Sequence, residues 1–204
     1  KGGEREATMR ERVLSTRLPL VYAHLVGGQD EIVFEGRSFV LAPDGALAGR
    51  AISFEESLFD VAMSPVPGGW QIDAAIDRAH SLEADLWHAL VLGVRDYIGK
   101  NGFPAAILGL SGGIDSALVL AIAVDALGKD RVRAVMMPSP YTADISWIDA
   151  REMAARMGVR YDEIAIAPQF EAFKASLAQE FAGRAEDTTE ENLQARIRGT
   201  LLMA

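Results

Sequence analysis

Six residues, SGGIDS at positions 111–116, combine two glycines, two hydroxyls and a carboxylate where an apolar run meets a long aliphatic segment. The run AAILGL predicts a buried strand, and the segment ALVLAIAVDALG predicts a helix. Glycines at such a junction let backbone N–H groups approach an anion closely, and the helix adds the positive end of its dipole. The loop therefore predicts a phosphate-binding site, in which Ser111 and Ser116 add hydroxyl donors.

Two common nucleotide-binding patterns do not describe this loop. No lysine follows it as in GxxxxGK[ST], and the spacing GxGxxG is absent, so neither a γ-phosphate-transferring loop nor a dinucleotide fingerprint explains it. A carboxylate beside a phosphate repels it unless a divalent cation lies between them, and we therefore interpret Asp115 as a Mg²⁺ ligand. A plainer alternative is that Ser111 and Asp115 cap the helix, which is the commonest use of such residues.

The composition is that of a globular protein without basic character. Twenty Lys and Arg residues face 29 Asp and Glu residues, and the net charge of -9 argues against a nucleic-acid partner and favours small molecules. No apolar stretch approaches the roughly 20 residues that span a bilayer, and the polar start lacks the core of a secretory signal. We therefore expect a cytoplasmic protein without a membrane partner. The absence of cysteine excludes disulfides and a thiol nucleophile within this chain.

The hydrophobic periodicity changes near residue 82. Before it, a charged helix is followed by a predicted strand at residues 18–27 and by short apolar runs broken by turn residues, which predict antiparallel strands. The stretch MSPVPGGWQID is rich in Pro and Gly and predicts a boundary between two domains. After residue 82, strands alternate with helices, which predicts a parallel sheet with ligands at the carboxyl ends of its strands.

The segment LGLSGGIDSALV resembles the SGGxDS loop of the N-type ATP pyrophosphatases, which cleave ATP between its α and β phosphates to make an adenylate. The resemblance implies that the loop holds the departing pyrophosphate, so that no Walker lysine is needed. It also implies an α/β fold with a parallel doubly wound sheet, adenine nucleotide alpha hydrolase-like and Rossmann-like, with ATP as substrate and Mg²⁺ as cofactor. The ATP-binding residues that it implies are Gly109, Leu110, Ser111, Gly112, Gly113, Ile114, Asp115 and Ser116, and Asp115 is also the implied metal ligand.

Three further stretches are similar to the glutamine-dependent NAD synthetases. They are ALVLGVRDYIGKNGF, MMPSPYTADISWIDA and TEENLQARIRGTLLMA. This resemblance implies that Asn192 and Arg196, which lie at i and i+4 on one helical face, contact deamido-NAD. A capping box from Thr188 to Glu191 is expected to start their helix. The alternative is that Arg196 and Arg198 form a solvated helix face.

The upstream segment LPLVYAHLVGGQDEIVFEGRSFVLAPDG resembles the later part of the nitrilase-like glutaminase domain of the same family. We therefore predict that residues 1–63 form the β-rich C-terminal part of that α/β domain, residues 64–81 a linker, and residues 82–204 the N-terminal part of the ATP pyrophosphatase domain. The family's glutaminase uses Cys, Glu and Lys, and because this chain has no cysteine we assign no catalytic residue. A start without Met and an uncapped apolar end lead us to expect a piece of a longer polypeptide.

Together the resemblances imply an ATP-dependent amide-forming ligase. ATP adenylates the nicotinate carboxylate of deamido-NAD, pyrophosphate leaves into the loop, and ammonia from glutamine displaces AMP to give NAD. The expected partners are ATP, deamido-NAD and glutamine or ammonia, and we expect a homo-oligomer. Two alternatives remain open at this point: another SGGxDS enzyme such as GMP synthetase, and a non-catalytic fragment that binds adenine nucleotides.

Overall fold

A computed structural model of the chain describes residues 2–183, 185 and 187–204. It contains two compact units, residues 1–97 and residues 98–204. The first unit is built mainly from short strands. Its elements are helix α1 (Gly2–Thr16), strands β1 (Leu20–Tyr22), β2 (Val26–Gln29), β3 (Ile32–Glu35), β4 (Phe39–Leu41), β5 (Leu47–Arg50), β6 (Val61–Val66) and β7 (Gly69–Ala74), and most of helix α2 (Leu82–Lys100).

The strands of the first unit pair in antiparallel fashion, as the turn residues predict. Strands β1, β4 and β5 form one sheet, while β2 with β3 and β6 with β7 form two-stranded ribbons. Val13 of α1 packs with Phe39 and Leu41 of β4 in a buried cluster. Helix α2 lies against β2, where the Asp96 carboxylate accepts a hydrogen bond of 2.7 Å from the Gly28 N–H.

Two details of the first unit differ from the sequence predictions. Residues 18–27, expected to be one strand, hold β1 and the start of β2, because β1 pairs with β4 whereas β2 pairs with β3. Residues 64–81, expected to be a linker, include most of the β6–β7 hairpin. Gly68, with φ 87°, occupies the hairpin turn after Pro67, so the Pro and Gly content marks a turn. The division of the chain into domains at this stretch remains a prediction.

The second unit alternates helices and strands, as the sequence predicts. The strand order is β10-β9-β8, and both pairings are parallel. None of the helices that the structure describes is long and apolar enough to cross a membrane. The elements that follow α2 are strand β8 (Ala106–Gly109), helix α3 (Ile114–Leu127), a short 3-10 helix (Lys129–Arg131), strand β9 (Val132–Met136), helix α4 (Asp144–Met157), strand β10 (Arg160–Glu163), helix α5 (Ala167–Leu177) and helix α6 (Thr188–Met203).

Helices cover both faces of this parallel sheet. Ala134 and Met136 of β9 pack in a buried cluster with residues of α3 and α4. Val135, between them, and Met137 pack instead with α5 and α6, because successive side chains of a strand point to opposite faces. The arrangement is the predicted doubly wound one, and it places the carboxyl ends of β8 and β9 side by side.

Candidate functional site

The loop at 111–116 joins the carboxyl end of β8 to the first turn of α3. Leu110 is buried and donates its N–H to the carbonyl of Val135 at 2.9 Å, which fixes the start of the loop against β9. Gly112 follows with φ 80°, a conformation that disfavours any residue with a Cβ. A Cβ at this position would also overlap the backbone of Ser146 in α4. Gly112 is therefore required by its conformation and by a close approach of two backbones.

The two serine hydroxyls brace the loop from within. Ser116 Oγ accepts a hydrogen bond from the Ser111 N–H at 3.1 Å and donates one to the Gly113 carbonyl at 2.9 Å. Ser111 Oγ lies 3.0 Å from Ser116 Oγ and accepts a hydrogen bond from the Gly113 N–H at 3.3 Å. The hydroxyl hydrogens thus bond within the loop, and phosphate binding by either hydroxyl requires that hydroxyl to rotate.

The capping alternative does not match this geometry. Gly113 occupies the N-cap position of α3, and no side chain caps it. Ser111 accepts from Gly113 within the loop, whereas a capping side chain would accept from the second or third helical residue. Asp115 lies exposed in the first turn, whose N–H groups have no intrahelical acceptor. The helix terminus therefore presents backbone donors to a bound anion.

Metal binding was predicted at Asp115 alone. Among the residues that the structure describes, no group of three or more His, Asp or Glu side chains could hold a metal ion. One exposed carboxylate beside a phosphate site nevertheless fits Mg²⁺, which commonly takes one or two protein carboxylates and completes its shell with substrate phosphates and water. Asp115 and the loop are thus compatible with Mg²⁺ bound together with a nucleotide.

A cavity of about 600 Å³ opens beside the loop at the carboxyl ends of β8 and β9. Its walls come from the two strand ends, from the start of α4 and from one face of α6. Its volume falls in the range of small-molecule and cofactor sites. The lining residues are Gly109, Leu110, Ser111, Val135, Met136, Met137, Tyr141, Thr142, Ala143, Ser146, Ala195, Arg198, Gly199 and Leu202.

Arg198 is the charged side chain in this lining, and sequence reasoning did not assign it to the site. Its Nε donates to the Met137 carbonyl at 3.0 Å, and its Nη2 lies 3.4 Å from Oε1 of Gln194. Burial lowers the pKa of Arg198 from its usual value, since it removes water from the charged form. Ala195 and Gly199, which flank Arg198 on the cavity side of α6, are small residues at i and i+4, and this spacing was the available sequence signal.

The predicted acceptor residues lie elsewhere on α6. Arg196 Nη1 donates to the Asn192 carbonyl at 3.2 Å and lies 3.3 Å from Asn192 Oδ1, so the structure brings the predicted pair together. Both side chains are exposed, and neither lines the cavity beside the loop. Arg196 instead lines an apolar groove of about 200 Å³ between α5 and α6.

The start of α6 corrects the predicted capping box by one residue. Asp187 is the N-cap and accepts a hydrogen bond from the Thr189 N–H at 2.8 Å. Its own N–H donates to Oε2 of Glu190 at 2.7 Å. The box therefore runs from Asp187 to Glu190, because the carboxylate of Asp187 caps the helix in place of the hydroxyl of Thr188.

Comparison with known proteins places these features in a family. A sequence model of the NAD synthase family matches residues 86–204. The glutamine-dependent NAD(+) synthetase of Rhodobacter capsulatus is 47% identical over 195 residues, covering 95% of this chain and 35% of its own length. The enzyme of the same name from Xylella fastidiosa strain Temecula1 is 46% identical over 209 residues, covering 100% of this chain and 38% of its own length.

A solved structure agrees with the sequence matches. The glutamine-dependent NAD+ synthetase of Acinetobacter baumannii, in complex with ADP, superposes with a TM-score of 0.91 at 46% identity. The match covers 99% of this chain and 38% of that one, so the chain spans little more than a third of the length of these relatives. The family model covers more than half of the chain, and the chain therefore belongs to the NAD synthase family.

Proposed function

We propose that the natural protein is a glutamine-dependent NAD synthetase. ATP adenylates the nicotinate carboxylate of deamido-NAD, and ammonia converts the adenylate to the amide of NAD. The observation that carries the proposal is the SGGIDS loop, which opens into the cavity at the carboxyl ends of β8 and β9 in a chain of the NAD synthase family. The relatives named glutamine-dependent NAD(+) synthetase match nearly the whole chain, which supports glutamine as the source of ammonia.

The first step is an attack on the α phosphorus of ATP. A carboxylate oxygen of deamido-NAD forms a bond to the α phosphorus, the bond from that phosphorus to the bridging oxygen breaks, and pyrophosphate leaves. The loop residues 109–116 are proposed to hold the β and γ phosphates through backbone N–H groups and the α3 terminus. Mg²⁺, held by Asp115, would neutralise part of the charge on the phosphates.

The second step forms the amide bond. Ammonia attacks the acyl carbon of the adenylate, the bond between that carbon and the phosphate oxygen breaks, AMP leaves, and the nitrogen loses a proton. Catalysis in both steps rests on positioning and charge neutralisation, without a covalent enzyme intermediate. Asn192 and Arg196 are proposed to contact deamido-NAD, where the planar fork of Arg196 suits an oxyanion of the acceptor.

The regions of the chain have separate roles in this proposal. Residues 1–63 belong to a nitrilase-like glutaminase domain, residues 64–81 connect it, and residues 82–204 belong to the synthetase domain. The start of the family match at residue 86 supports this order. Cytoplasmic location, a homo-oligomeric state and the absence of nucleic-acid and membrane partners are further parts of the proposal.

The deciding experiment measures the products that the natural protein makes from ATP, deamido-NAD and glutamine. AMP, pyrophosphate and NAD should appear in equal amounts, and ammonium chloride should replace glutamine. AMP formation with xanthosine monophosphate and not with deamido-NAD would favour GMP synthetase. ATP binding without AMP release under any of these conditions would favour the non-catalytic module.

A further inference from the structure

The carboxyl end of β9 contains a break in its backbone hydrogen bonding. Along a parallel strand, successive carbonyls point alternately to the two neighbouring strands. Three carbonyls at this end follow that alternation. The Val135 carbonyl accepts an N–H from the β8 side, and the Met136 and Pro138 carbonyls accept N–H groups from the β10 side. The bonds are Leu110 N to Val135 O, Ile164 N to Met136 O and Ile166 N to Pro138 O, each 2.9 Å long.

The Met137 carbonyl lies between these and points toward the β8 side. A continued ladder would supply the N–H of residue 112, two positions after Leu110, but the chain has already turned into the phosphate loop with Gly112 at φ 80°. Met137 is buried, and an unpaired buried carbonyl is costly. Nε of Arg198 donates to it at 3.0 Å and so takes the place of the missing strand neighbour.

This bond ties two walls of the cavity together. Arg198 lies on α6, 61 positions after Met137, and both residues line the cavity beside Ser111. Gln194, which is buried one turn earlier, lies 3.4 Å from Nη2 and steadies the guanidinium. A guanidinium held on two sides in this way cannot swing freely, so its effect is to fix where the strand end and α6 stand relative to each other.

We propose that Arg198 is a positioning residue for ATP, which acts through the Met137 carbonyl to hold the strand-end wall that receives the adenosine part of the nucleotide. The inference rests on the proposed function, because it takes ATP as the occupant of the cavity. The phosphates are held at the loop and depend on its backbone N–H groups, and the adenosine part depends on the wall that Arg198 fixes.

Binding measurements, without turnover, can test whether the phosphates depend on the loop and the adenosine part on the wall that Arg198 fixes. ATP and inorganic pyrophosphate are titrated into the natural protein by calorimetry, at a temperature where thermal unfolding shows every variant to be folded. Arg198→Met should raise the Kd for ATP about 10-fold, because ATP binding must then order a wall that Arg198 otherwise holds in place. Pyrophosphate lacks adenosine, so its Kd should rise by less than about 3-fold. That small rise reflects only the loss of the Arg198 positive charge, whose effect on the phosphates is screened by salt.

Two further variants complete the design. Arg198→Lys keeps a donor for the Met137 carbonyl but loses the bond to Gln194, so it should raise the ATP Kd only about 3-fold. Arg160→Met makes the same chemical change at the amino end of β10, the opposite end of the sheet from the cavity, and should leave both affinities unchanged. If the Met variant does not fold, the Lys variant decides by the same comparison of ATP with pyrophosphate.

Three results would overturn the inference. Equal losses for ATP and pyrophosphate would make Arg198 a direct phosphate ligand. An unchanged ATP affinity would reduce the residue to a packing role, and so would a lowered melting temperature as the only effect. A wild-type protein that binds ATP but releases no AMP with deamido-NAD would refute the proposed function alone, since the binding comparison would still decide the role of Arg198.

Discussion

The phosphate loop and helix α6 face the same cavity but are held in place by different kinds of contact. The hydroxyls of Ser111 and Ser116 bond to groups no more than five positions away, and they close the loop on itself. Helix α6 is anchored by Arg198 to a carbonyl 61 positions earlier, and its Ile197 packs in a cluster with β9 and α5. The loop is shaped largely by its own sequence, whereas the rotation of α6 is set by distant residues.

The orientation of α6 places Arg196 and Arg198 on opposite faces of the helix. Arg198 lines the cavity, while Arg196, two positions earlier, lies exposed beside the groove toward α5. Two positions correspond to about 200° around a helix, so the two side chains point in nearly opposite directions. Substitutions in the loop should therefore act on the nucleotide, and substitutions on α6 should act on whichever substrate meets the altered face.

The largest effect is expected at Asp115. Asp115→Asn removes the proposed carboxylate ligand of Mg²⁺ while keeping the size of the side chain, and pyrophosphate release should fall roughly 1000-fold, since such charge stabilisation is worth several kcal/mol. The measurement is pyrophosphate release at saturating ATP, deamido-NAD and Mg²⁺. Asp125→Asn, near the other end of the same helix, is the matched control and should turn over normally. Near-normal turnover of Asp115→Asn would refute the metal assignment.

Adjacent glycines in the loop should respond very differently to alanine. Gly112→Ala places a Cβ at φ 80° against the backbone of Ser146, and it should lower the free energy of unfolding by roughly 2–4 kcal/mol. Gly113 has φ -88°, and its Cβ would meet Ser111 Oγ at 3.4 Å, an ordinary contact. Gly113→Ala should therefore cost less than about 1 kcal/mol.

Denaturant unfolding of the two glycine variants checks this contrast. If both alanine variants proved equally stable, the loop would not need the left-handed conformation at Gly112. The statement that the loop is shaped largely by its own sequence would then be wrong.

The contrast between the regions also explains what the sequence could predict. The strand–loop–helix junction was predictable because glycine, hydroxyl and apolar residues specify it within a few positions. The inward face of α6 was harder to predict, because Arg196 and Arg198 are chemically identical and the spacing of Ala195 and Gly199 was the only sequence signal. In the structure, the packing of Ile197 and the hydrogen bond from Arg198 to the Met137 carbonyl distinguish the two arginines. The β6–β7 hairpin within residues 64–81 was not predictable, since Pro and Gly mark turns and linkers alike.

Substitutions at Arg196 test whether the exposed face of α6 contacts deamido-NAD. If it contacts deamido-NAD, Arg196→Ala should lower kcat/KM for deamido-NAD by roughly 10- to 100-fold, the loss of a charged hydrogen-bonding partner at about 1.5–3 kcal/mol. The KM for ATP should change little, because Arg196 does not line the cavity beside the loop. Arg196→Lys should rescue part of the loss, since it keeps the charge without the bidentate fork.

Steady-state kinetics with each substrate varied in turn separate the outcomes for Arg196. A loss confined to ATP would assign the residue to the nucleotide site, and unfolding would assign it to the packing of α6 against α5. In either case the assignment of Asn192 and Arg196 to deamido-NAD would be wrong.

Ser111 should give the smallest effect, because its hydroxyl has two possible roles that oppose each other. In the structure its Oγ accepts from the Gly113 N–H and lies 3.0 Å from Ser116 Oγ, so phosphate binding requires the hydroxyl to exchange a bond within the loop for one to the ligand. Ser111→Ala should weaken ATP binding by about 1–3 kcal/mol, toward the lower end because that exchange offsets part of the gain. Pyrophosphate affinity should fall by the same factor, since the hydroxyl meets phosphate and not adenosine, in contrast to Arg198→Met. Calorimetry with ATP and with pyrophosphate measures the change in Kd that Ser111→Ala causes for each ligand. Unchanged affinities together with a lower melting temperature would show that Ser111 only braces the loop.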